Sequence, residues 1–136
     1  MATGTSTTSR FKASVPTLPV RDAITGQNNY CDILIFKPES MVNDGNYVPH
    51  FCGVSRDGVR LYLKTIEYHD HHGQCTFVIE NVDVLHTDVK GKGIRITRDP
   101  QDAPWRRHFT IFDLDDSHLT MAASDEMFRD IISRLT

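Results

Sequence analysis

HFTIFDLDDSHLTMAASDEMFRDIISRLT, residues 108 to 136, holds two short apolar-rich runs, His108 to Phe112 and His118 to Ala122. Between them Asp113-Leu114-Asp115-Asp116-Ser117 is rich in turn formers, so the spacing predicts a β-hairpin. Ser124 then stands where a helix N-cap belongs, followed by Asp125 and Glu126, whose carboxylates suit the positive end of a helix dipole. Met127, Phe128, Ile131, Ile132 and Leu135 recur at helical spacing on one face, with Arg129, Asp130, Ser133 and Arg134 on the other. No other stretch shows so clear a helical stripe. The expectation is one helix covering a hydrophobic surface made of strands.

Upstream, the chain reads as a run of strands. Cys31 to Phe36 is a compact apolar run ended by Lys37-Pro38, and Val48 to Val54 follows a turn-rich loop. Asp57-Gly58 is the strongest short hairpin signal in the chain, and it leads into Val59 to Glu67, which alternates apolar and polar residues. Cys75 to Val84 reads as a strand, or as a strand with a turn at Glu80-Asn81. After a Lys90-Gly-Lys-Gly93 loop come Ile94 to Arg98 and a Pro-containing loop from Asp99 to Trp105. Residues 1–29 read as a flexible tail or extended arm, because Ser, Thr and Gly dominate the start and Pro16 and Pro19 break any helix there. A short helix from Val20 to Thr25, stopped by Gly26, is weakly signalled. Residues 30–136 read as one domain, with no internal repeat visible.

Composition sets the bounds. A chain of 136 residues can bury a core of its own, and a net charge of -3 argues against a general nucleic-acid binder. No apolar run approaches membrane-spanning length, and the start lacks the apolar stretch of a signal peptide. Cys31, Cys52 and Cys75 show no CxxC spacing, which fits reduced thiols in the cytoplasm.

No catalytic constellation emerges. His69-Asp70-His71-His72 lacks a second pair at ligand spacing and reads as a polar loop rather than a metal site. His50 and Cys52 lie two apart on a strand with no orienting third group, and no GxSxG, P-loop or HExxH motif occurs. Neither an enzyme nor a cofactor is expected.

The strand series closed by a hairpin and a final helix resembles the pleckstrin-homology-like domains over roughly Cys31 to Leu135. The resemblance implies a mainly β fold, a seven-stranded bent antiparallel sheet or barrel capped by the C-terminal helix. It further implies a non-catalytic interaction module that binds a protein partner, as part of a larger cytoskeletal, trafficking or signalling scaffold. The partner candidates are Arg98, Trp105, Arg106 and Arg107, near a groove between Ile94 to Arg98 and the final helix. Trp105 reads equally as an interface anchor or as a lid on the core. The alternative is weak binding of phosphoinositide or anionic membrane through Lys37, Lys90, Lys92 and Arg95, although the family's second-strand basic motif is reduced here to His50 and Arg56. A basic pole and an acidic pole also raise a weak case for homo-oligomers.

Overall fold

The computed structural model describes residues 8–42, 50–66, 72–104 and 106–124. Strand β1 (Thr17–Val20), helix α1 (Ala23–Leu34) and strands β2 (Lys37–Val42), β3 (Phe51–Arg56) and β4 (Val59–Thr65) form a first βαβββ module. The order then repeats in β5 (Gln74–Ile79), α2 (Val82–Gly91), β6 (Ile96–Asp102), β7 (Arg107–Phe112) and β8 (His118–Ala123). Each module closes a mixed four-stranded sheet, ordered β1-β4-β3-β2 and β5-β8-β7-β6. In both, the first strand lies parallel to the last, and the remaining pairs are antiparallel.

Local chemistry explains the elements. Pro19 lacks an N–H, and an edge strand such as β1 tolerates that. Asp22 caps α1: its carboxylate accepts from the Thr25 N–H at 2.8 Å and the Thr25 hydroxyl at 2.7 Å. The helix lays Ala23, Gly26, Gln27, Tyr30 and Leu34 against sheet one. It stops at Ile35, whose left-handed backbone (φ 56°) returns its N–H to the Tyr30 carbonyl. Asp57 and Gly58 both take positive φ, the geometry of a tight β-hairpin turn. One core runs through both modules, joining Leu18, Tyr30, Phe36 and Leu63 to Phe77, Val89, Phe109 and Leu119.

The expected pleckstrin-homology-like architecture is therefore corrected. Two four-stranded sheets replace the single bent sheet, and each helix crosses between the first and second strands of its module. The chain does contain an internal repeat. Cys31 to Leu34, read as part of a strand, form the last turn of α1, and Val82 to Gly91 form α2 rather than the end of a strand and a basic loop. Gly26 lies inside α1 and does not end it, and the expected boundary between residues 29 and 30 falls within that helix. Short apolar runs fit a strand and a buried helical turn equally, and packing decides between them. The predicted helix after Ser124 lies outside the described residues. No helix among them is long and apolar enough to cross a membrane.

Candidate functional site

A cleft of ≈ 740 Å³ opens where the two modules meet. Leu34 and Phe36 line it from the end of α1, and Arg56, Asp57 and Val59 from the β3–β4 hairpin. The second module contributes both faces of β5, from Thr76 to Ile79, together with Glu80 and Asn81, Leu85 of α2 and Met121 of β8. The floor is apolar: Phe36 and Phe77 meet edge to face at 6.0 Å, and Tyr30 backs Phe36 at 5.8 Å. The rim is polar. Arg56 donates from Nη1 to the Leu34 carbonyl at 2.7 Å, tying the hairpin to the end of α1, and its Nε lies 3.6 Å from Asp57.

Backbone strain gathers at this rim. Among the described residues, four non-glycine positions take positive φ, and Asp57 and Asn81 both line the cleft. A third, Ile35, sits between the lining residues Leu34 and Phe36, and a β-branched residue is costly in that region. Asn81 heads α2 without a side-chain cap hydrogen bond. Such positions persist only where the surroundings over-determine them, and they concentrate at functional sites.

Behind the cleft, a buried polar network joins the modules. The Tyr30 hydroxyl donates to Asp113 Oδ2 at 2.6 Å, and the N–H groups of Asp115 and Ser117 donate to Oδ1 at 2.9 Å each. Burial pushes the Asp113 carboxyl up from its ordinary range, and these three hydrogen bonds pull it back in part. The Tyr30 phenol is raised well above its usual value by burial first and by the neighbouring Asp113 next. The thiols are quiet: burial raises Cys31 and Cys75, and Cys52, fully buried and bonded to the Ala23 carbonyl, is pushed up to about 11.

None of the described residues expected to bind anions or partners lines this cleft. Lys37 opens β2, Lys90 lies in the last turn of α2, and Lys92 pairs with Asp88 while donating to the Ile33 carbonyl. Arg95 lies over the Phe112 ring at 4.0 Å and pairs with Asp116. Arg107 forks onto Asp83, with Asp102 as a second partner, Arg98 is exposed on β6, and Arg106 immediately precedes β7. Trp105 and the far wall of the expected groove lie outside the described residues. Sequence reading flagged Asp57-Gly58 and Glu80-Asn81 only as turns. Nothing local shows that these two turns meet.

No family model matches the chain, and no curated protein matches its sequence. Solved structures do share its fold. A glyoxalase-related enzyme from Clostridium phytofermentans superposes with a TM-score of 0.74 at 20% identity, over 88% of this chain and 100% of that one. A glyoxylase/bleomycin resistance protein/dioxygenase domain from Frankia gives 0.68 at 21% identity, over 87% and 95%. A bleomycin-binding protein from Streptomyces verticillus, complexed with copper(II)-bleomycin, gives 0.67 at 18% identity, over 87% and 100%. The chain thus has the fold of the glyoxalase/bleomycin resistance protein/dioxygenase group. Identities this low establish the fold alone.

That fold overturns the pleckstrin-homology-like resemblance. The interaction-module role, the protein partner and the anionic-lipid alternative rested on it and fall with it. Among the described residues no three His, Cys, Asp or Glu side chains converge to hold an ion.

Proposed function

We propose that this protein binds a small organic molecule non-covalently in the cleft between its two modules. The observation that carries this reading is the cleft itself. Its ≈ 740 Å³ lies inside the range of about 300–1,000 Å³ usual for ligand sites, with an apolar floor and a few polar groups at the rim. Left-handed backbone at Ile35, Asp57 and Asn81 supports it. The structure of the Streptomyces verticillus protein holding copper(II)-bleomycin shows the same fold in the service of small-molecule binding. Burial raises the described thiols in pKa, so none of them is poised as a nucleophile at neutral pH. The unpaired cysteines fit a cytoplasmic setting for this activity.

The test is a fragment screen by ¹H–¹⁵N NMR on the full chain. Hits should shift the amides of Leu34, Phe77 and Asn81 together, and Phe77→Ala should weaken them at least tenfold. Hits confined instead to the sheet face away from α1, around the Phe51 and Tyr62 rings (centroids 5.0 Å apart, tilted at 49°), would refute the cleft as the site.

A further inference from the structure

The charges lining the cleft narrow the ligand further, on the assumption that the cleft is the binding site. We infer that it selects an apolar body carrying one protonated amine. Among the described residues three ionisable ones line the cleft, Arg56, Asp57 and Glu80. Arg56 is committed. Its Nη1 donates to the Leu34 carbonyl and its Nε faces Asp57, so offering its fork to an anionic ligand would uncap α1. Glu80 has no hydrogen-bond or ion-pair partner among the described residues. Among the described lining residues two carboxylates thus stand against one guanidinium already in use, and the unmatched charge is negative.

The helix ends do not reverse that sign. The N-terminus of α2 opens beside the cleft at Asn81, which would ordinarily favour an anion. Asp83 already occupies its first turn, held there by Arg107, whose Nε and Nη2 each lie 2.9 Å from the Asp83 carboxylate. The C-terminus of α1 is the negative end of a dipole, and its Leu34 carbonyl already accepts from Arg56, so it offers an anion nothing. Below the rim, Leu34, Phe36, Phe77 and Met121 offer apolar contact. An ammonium beside Glu80 and Asp57, with its hydrocarbon part on that floor, satisfies both layers. A carboxylate in the same place would face Glu80 with no free cation among the described lining residues.

Three probes on one skeleton make the test: 1-naphthylmethylammonium, 1-naphthalenemethanol and 1-naphthoate, each titrated into the full 136-residue chain and followed by NMR. The ammonium should bind about three- to fivefold more tightly than the alcohol, the size expected for an exposed charge pair, and naphthoate should bind most weakly. Glu80→Gln should erase that preference, bringing the ammonium's affinity down to the alcohol's. The preference should also shrink as salt rises. If all three bind equally with shifts at Phe77 and Asn81, or if naphthoate binds most tightly, the charge selection is overturned while the cleft stands. If no probe shifts those amides, both readings fall together.

Discussion

At the scale of single residues, the buried carboxylate at Asp113 is the most consequential group. It is 6% exposed and Tyr30 is 2% exposed, so neither has water to fall back on. Tyr30→Phe removes one of three donors and leaves a buried oxygen unmatched, which should cost about 1–3 kcal/mol at neutral pH. The pH dependence has a definite sign. Because the folded Asp113 carboxyl is raised above its ordinary 3.8, its contribution to stability is complete below that value and is lost as pH rises through the folded pKa. Losing the Tyr30 donor raises the folded pKa further, so the gap between mutant and wild type should widen from pH 4 to pH 7. Urea melts at the two pH values check this, and a constant gap would count against it. Asp22 runs the other way. Thr25, through its hydroxyl first and its N–H second, holds the Asp22 carboxyl below 3.8, so this cap stabilises above that pH and fades as pH falls through the folded pKa. Asp22→Ala should cost about 1 kcal/mol at pH 7 and less near pH 3, measured by thermal melts.

At the scale of elements, two glycines give opposite expectations. Gly91 ends α2 with open space where a methyl group would stand and no left-handed backbone, so Gly91→Ala should stabilise by about 0.4–1 kcal/mol through the unfolded chain. Gly73, just before β5, has no such room. A Cβ there would overlap Leu18 Cδ2 and lie 3.0 Å from Pro19 and 3.1 Å from the Ser117 hydroxyl, so Gly73→Ala should destabilise by about 1–3 kcal/mol. Equal and small effects at both sites would show that β5 can shift to make room. The same contrast between local and distant contacts explains what the sequence made legible. The β3–β4 and β7–β8 hairpins were readable because turn and strand signals are local: Asp57-Gly58 and the acidic turn after Phe112 stand between the strands they join. The helices were not. α1 carries Gly26, Asn28 and Asn29, poor helix formers, and α2 is rich in β-branched residues with only Val82 and Val89 fully buried. Both owe their form to packing against sheets assembled from distant strands, and a strand reading of Cys31 to Phe36 follows naturally when that packing is out of sight.

At the scale of the whole molecule, the repeat divides the chain in two and the core joins it again. The candidate cleft was illegible for this reason: its walls, Leu34 to Val59 and Thr76 to Leu85, belong to different modules and meet only once both have folded. The link is substantial. Tyr30 of α1 reaches Asp113 beyond β7, the Arg21 N–H donates to Asp115 at 2.9 Å, and Gly73, just before β5, lies against Leu18 of β1. Phe36 and Phe77 continue that link through the apolar layer. A module on its own would expose these residues and leave Asp113 without its phenol partner. Half of a chain this size also buries too little surface to stand alone comfortably. The two modules should therefore unfold in one cooperative step. Urea curves from far-UV circular dichroism and from upfield methyl resonances should coincide. Native-state hydrogen exchange at Leu61 and Leu63 in β4 should converge with Leu119 and Met121 in β8 on one opening free energy. Two separated transitions, or protection in β8 that outlasts β4 by several kcal/mol, would mean that the modules fold independently. The cleft would then be a contact between two autonomous units rather than a site built into one.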